Sequence, residues 1–218
     1  MFFTKLVVAL IIHIPFIMLT YSLHSIPLKK NARQIAIIGI MLGGAYFYSR
    51  FIVETNLFLI VSISTLVLLV MSFRRYPLLY CLAICTTSYF ISITIDTILT
   101  VTASNLFHIN LIEIQSNPIE FLTLNIIFSS IVLAISLILN KYRIGFSYII
   151  RRFSIKHTLS NKNYYWAGFF YCFLMIAQRM VNRIDWSTAI ILSSLTLVIL
   201  FISFKNNKIS KNERYDII

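Results

Sequence analysis

Acidic residues are scarce in this chain: 7 Asp and Glu stand against 19 Lys and Arg in 218 residues, a formal net charge of +12. Charge of either sign is thin, at 12%, while hydrophobic residues reach 59% and the mean hydropathy is +0.85. Soluble domains carry about 25% charged residues. The chain therefore has more apolar surface than a water-soluble core can hide, which excludes a soluble domain. Cysteine is limited to Cys81, Cys85 and Cys172, each inside an apolar run. That placement excludes a disulfide framework and a paired CxxC zinc site. The few glycines build no phosphate-cradling loop, and HExxH, GxSxG and paired-glutamate motifs are missing. His13 and His24 reach a cysteine only by a coincidence of tertiary structure, and His157 lacks the acidic neighbour expected beside a phospho-accepting histidine. The sequence reads as non-catalytic, with no cofactor and no metal.

What is abundant is long apolar runs. A membrane-spanning helix takes about 20 apolar residues, and seven stretches qualify: Leu6–Leu23, Gln34–Val53, Asn56–Phe73, Pro77–Thr100, Ile119–Asn140, Tyr164–Val181 and Trp186–Phe204. The first is too long for a signal peptide and is followed by no small-residue cleavage site, so it reads as a retained span. The expected fold is all-α, a polytopic bundle over residues 1–204. A short basic tail follows at 205–218.

Basic residues sit in the connections. Lys29, Lys30 and Arg33 follow the first span, Arg74 and Arg75 the third, Lys141 to Lys162 the fifth, and Lys205 to Arg214 the seventh. Only Lys5, Arg50, Arg179 and Arg183 fall on the other side. Clusters between apolar runs point to anionic lipid of the inner leaflet and to orientation, not to nucleic acid. The positive-inside rule then places the amino terminus outside and the carboxyl terminus in the cytoplasm of a cell membrane. Residues 142–156, YRIGFSYIIRRFSIK, are amphipathic and suit either a helix on the inner leaflet or a solvated basic connector. On the outer side, Ala103–Pro118 forms an apolar loop lying on the surface or folded over the bundle.

The fourth span carries an acid. Cys81, Cys85, Ser88, Ser92, Asp96 and Thr100 recur at steps of three or four residues, one face of a helix. Asp96 lies roughly 28 Å of helix beyond Pro77 at about 1.5 Å per residue, which brings it to the outer boundary. Arg50 and Glu54 close the second span on that side, and Arg179 closes the sixth. An ionisable group kept in lipid is by default a functional-site candidate. Two readings stand together: a pocket of Asp96, Arg50, Arg179, Ser92, Thr100 and Glu54 for a ligand from outside, or an ion-pair network tying the helices. His13 is either a proton relay or a hydrogen-bonded bundle residue. Gly39 and Gly43 form a GxxxG that permits close helix contact, within the bundle or in a homodimer.

Several of these stretches resemble one family. The IPLKK connector at Ile26–Lys30, the IAIIGIMLGG run at Ile35–Gly44, Arg50 closing the second span and Arg74-Arg75 after the third are similar to the membrane sensor region of AgrC-like histidine kinases. So are Asp96 late in the fourth span and SNPIEFL at Ser116–Leu122. These are peptide-sensing, quorum-sensing receptors of two-component systems in Gram-positive bacteria. The resemblance implies a dimeric bundle that senses an extracellular peptide and signals to a cytoplasmic GHKL-class kinase. No kinase core follows Phe204, so the expectation is an excised sensor region or a stand-alone relative. The alternative is a membrane subunit of a transporter, or an accessory or immunity protein docking on other spans. An intramembrane peptidase is a third.

Overall fold

The computed structural model describes residues 2–55, 57–107 and 118–142, with residues 187, 190–194 and 196 beyond them. The described residues form helices α1 (Phe2–Leu23), α2 (Ala32–Phe47), α3 (Phe58–Arg74), α4 (Leu78–Phe107) and α5 (Pro118–Tyr142). Four helical segments are long and apolar enough to cross a membrane: Phe2–Leu23, Lys29–Ile52, Tyr80–Asn105 and Ile119–Tyr142. The protein is thus all-helical where described and built for a membrane location. α3 has 17 residues, about 26 Å at roughly 1.5 Å per residue, against an apolar bilayer core of about 30 Å.

Local chemistry sets the boundaries. α1 ends where Ser25 takes the left-handed conformation at φ 55°. Ile26 N–H then donates to Tyr21 O at 2.8 Å and Ser25 N–H to Ser22 O at 3.0 Å. This paired pattern satisfies two terminal carbonyls, and Pro27 prevents the helix from continuing. α3 also stops at a left-handed residue, Arg75 at φ 53°, here with the single return bond from its N–H to Met71 O at 2.8 Å. Pro77 lies two residues on. Pro118 opens α5, where its missing N–H costs nothing.

α1 is the hub. It packs antiparallel against α2 (Gly43 meets Ala9 and Gly39 meets Ile14), runs parallel to α5 and also touches α4. The α1–α2 contact is close because glycine allows it. A Cβ on Gly39 would meet Ile14 Cγ1 at 2.9 Å, and one on Gly43 would meet Ala9 O at 2.9 Å. The GxxxG face is therefore occupied within the chain. One apolar cluster joins Phe16, Ile17 and Tyr21 to Ile38, Leu42, Leu66, Cys81 and Cys85. A second joins Leu19 and Leu23 to Ile84, Phe128 and Val132. Both cysteines are fully buried, and so serve as small apolar fillers.

α4 carries many hydroxyls in an apolar setting, and it satisfies several of its Ser and Thr side chains itself. Thr86, Thr87, Ser88 and Thr94 each donate to the carbonyl one turn earlier, at 2.6 to 2.9 Å. Such back-bonding lets Ser and Thr sit in a span without an unmet polar group. Thr94 also meets Thr196 at 2.8 Å.

One difference from the sequence reading concerns α4. The helix continues through Phe107, so Ala103 to Phe107, expected in an outer loop, extend the rod instead. Nothing in Val101–Phe107 breaks a helix, and Asn105 Nδ2 donates to Val101 O at 2.7 Å. The sixth expected span, the amphipathic segment beyond Tyr142, the tail and most of the seventh span lie outside the described residues.

Candidate functional site

The antiparallel order gathers five chain segments at one end of the bundle: the start of α1, the end of α2, the starts of α3 and α5, and the later part of α4. They enclose a cavity of about 180 Å³. The opposite end carries Lys29 and Lys30 between α1 and α2, Arg33 in the first turn of α2, Arg74 and Arg75 at the end of α3, and Lys141 at the end of α5.

Arg50 owes its place to a change of helix type. After Phe47 the backbone widens over Tyr48–Ile52, and Val53 N–H reaches back five residues to Tyr48 O at 3.0 Å. π-turns of this kind occur mostly at functional positions because they rotate the following side chains out of register. Glu54 then takes the left-handed conformation at φ 50°, and Thr55 N–H closes the turn on Ser49 O at 3.1 Å.

Three rings surround the half-buried Arg50 guanidinium. Its carbon lies 4.8 Å from the centre of Phe58, 5.5 Å from Tyr46 and 5.7 Å from Phe51. One of its Nη atoms also donates to the Tyr46 hydroxyl. Each cation–ring contact is worth about 0.5 kcal/mol when exposed and about 2 kcal/mol or more when desolvated. The rings thus offset much of what it costs to take a guanidinium from water. Arg50 acts on Asp96 by charge, while its hydrogen bond goes to Tyr46.

Asp96 stands open to the cavity on α4. Ser92, Thr97 and Thr100 border the same space, as do Tyr89 and Ile93 on the adjoining strip of the helix. His13 joins from α1, with Nδ1 donating to Ala9 O at 2.6 Å. Ser62 from α3 and Asn125 from α5 complete the polar rim. The remaining wall is apolar, chiefly Val8, Ile12, Phe16, Leu59, Phe121 and Phe128.

Of the residues singled out in the sequence, the cavity brings together Asp96, Arg50, Ser92 and Thr100. Glu54 is not among them: it takes the left-handed conformation at the end of the π-turn, and it is exposed. Arg179 lies outside the described residues. Gly39 and Gly43 lie on the α1–α2 contact and take no part in the cavity. The residues that sequence reasoning passed over are the aromatic ones, Tyr46, Phe51 and Phe58. A signal for Tyr46 existed, since it precedes Arg50 by one helical turn.

A second polar cluster is buried at the basic end. His24 is fully buried and lies 3.3 Å from Thr87 Oγ1. Loss of water pushes its ring down from the usual 6.5 to about 3. At the same end of the bundle the Arg74 guanidinium carbon lies 5.2 Å from the centre of the Tyr21 ring.

Among the described residues no three His, Cys, Asp or Glu side chains stand together as a metal site. Among the described residues the cavity offers one cation, one anion, several hydroxyls and apolar walls, an arrangement suited to binding. No family model, no curated protein and no solved structure matches this chain.

Proposed function

We propose that this chain is the ligand-binding membrane domain of a receptor, which takes an extracellular peptide or small amphipathic signal into the Arg50–Asp96 cavity and relays it to a cytoplasmic partner. The observation that carries this reading is that two opposite charges face one cavity while Arg50 is held by aromatic rings and a tyrosine hydroxyl. A purely structural ion pair would close on itself. Here the charges remain disposed around a space. The basic connections at the other end support a cytoplasmic position for that end, and with it an external position for the cavity. On this reading the chain has about seven spans, an external amino terminus and a cytoplasmic carboxyl terminus, in the cell membrane of a Gram-positive bacterium. The resemblance to AgrC-like sensor regions belongs to the same proposal, with a kinase as the downstream partner and a homodimer as the working form.

The test is native mass spectrometry of the protein extracted gently from its own membranes. The expected result is a small bound peptide or amphipath in the wild type that is lost in Asp96→Asn while the protein remains folded. Recovery of a stoichiometric ATPase or permease with no small ligand would overturn the receptor reading in favour of a transporter or accessory subunit.

A further inference from the structure

Size narrows what the cavity accepts. Pockets that enclose drug-sized ligands measure roughly 300–1,000 Å³. An engineered apolar cavity of about 150 Å³ takes one benzene. At about 180 Å³, this cavity holds a group the size of one aromatic or branched aliphatic side chain with little to spare. Of a longer ligand it encloses one such group.

Charge narrows it further. A guanidinium has five N–H donors, and Arg50 directs one Nη donor to Tyr46. The fork that remains matches a carboxylate, the acceptor for which guanidinium geometry is best suited. Asp96, on the facing helix, calls for a donor of positive charge, and Ser92 and Thr100 lie one turn to either side of it. A ligand with a single charge would satisfy one of these groups and be repelled by the other. A neutral ligand would desolvate both without compensation. A zwitterion satisfies both at once. The apolar wall made by Ile12, Phe16, Leu59 and Phe128 then receives a hydrophobic side chain.

We propose that the cavity binds a free zwitterion of amino-acid size with an apolar or aromatic side chain, its carboxylate on Arg50 and its ammonium on Asp96. This rests on the receptor reading and narrows it to the small amphipathic class of signal.

The experiment uses the full chain in lipid nanodiscs, titrated with L-phenylalanine, L-leucine, 2-phenylethylamine and 3-phenylpropionate and followed by thermal shift and calorimetry. The two amino acids are expected to bind, and each single-charge analogue to bind about 10-fold more weakly or worse, the scale of a lost charge-assisted hydrogen bond. Arg50→Gln should erase the preference for phenylalanine over phenylethylamine, and Asp96→Asn the preference for phenylalanine over phenylpropionate. Because each variant is read as a ratio of two ligands on the same preparation, partial misfolding does not imitate the result. Equal binding of phenylalanine and either analogue by the wild type would overturn the proposal. So would no binding of either amino acid at millimolar concentration. If the amino acids fail but a peptide binds and depends on Asp96, the zwitterion is wrong and the receptor reading stands. If they bind with both charge dependences and a co-purified transporter ATPase responds, the ligand assignment stands and the receptor reading falls.

Discussion

Arg50 lies with its guanidinium carbon 4.8 Å from the centre of the Phe58 ring, so the cation of the cavity rests on an aromatic face contributed by the next helix. This ties the end of α2 to the start of α3 across a short connection. It also leaves Asp96 available on α4. If the rings hold Arg50, then Phe58→Leu should cost about 1–2 kcal/mol of stability, the scale of a partly desolvated cation–ring contact. Asp96→Asn should cost less, because it removes no hydrogen bond of Arg50. Unfolding in nanodiscs or mixed micelles measures both. A larger loss for Asp96→Asn would mean that an ion pair, not the aromatic ring, supports Arg50.

The α1–α2 contact gives a sharper steric prediction. At Gly43 an added Cβ meets the backbone carbonyl of Ala9 at 2.9 Å, and backbone does not rotate away. Gly43→Ala should destabilise by about 1–3 kcal/mol, the usual cost of overpacking. Gly44 has nothing within 4 Å of such a carbon. There the same substitution should be neutral or slightly stabilising, since alanine is the better helix former by about 1 kcal/mol. Equal effects at the two neighbouring glycines would refute the close contact.

Much of this bundle was legible in the sequence, for definite reasons. Apolar runs declare helices because lipid leaves the backbone no other way to satisfy its hydrogen bonds. The three- and four-residue steps from Ser92 to Thr100 declared one face, and that face does border the cavity. The π-turn at Tyr48–Ile52 was not legible. One extra residue per turn leaves no mark on composition, yet it sets the register of Arg50 within the turn. The aromatic cage was hidden as well. In a chain that is 15% aromatic, Phe51 and Phe58 look like any lipid-facing ring until the fold sets them around a cation. The lower half of the polar stripe, Cys81 and Cys85, entered the apolar core instead, because a thiol is nearly as apolar as a methyl group.

Topology can be tested without a ligand. Glu54 is exposed beside the cavity and Lys30 is exposed at the basic end. Cys81 and Cys85 are fully buried, so Cys172→Ser gives a background of low reactivity. In intact cells a membrane-impermeant maleimide should label Glu54→Cys and leave Lys30→Cys unmarked until the membrane is permeabilised. The reverse pattern would place the cavity in the cytoplasm and remove the basis for an extracellular signal.

The basic end should respond to acid through His24. Its ring is held neutral by burial, with a value of about 3 in the folded protein against 6.5 when exposed. Below pH 6.5 the unfolded chain binds a proton that the folded chain refuses, so folding stability is full above that value and falls as pH drops toward about 3. Within that window one such group contributes a slope of up to about 1.4 kcal/mol per pH unit. His24→Gln removes the titration while keeping a polar side chain near Thr87 Oγ1, which lies 3.3 Å from the native ring. The wild type should therefore lose stability between pH 6.5 and 4.5 more steeply than the variant, measured as the unfolding midpoint in lipid nanodiscs at each pH. Parallel curves would show that the His24 ring takes up its proton without leaving the fold, and the buried cluster with Thr87 would then have to be open to water.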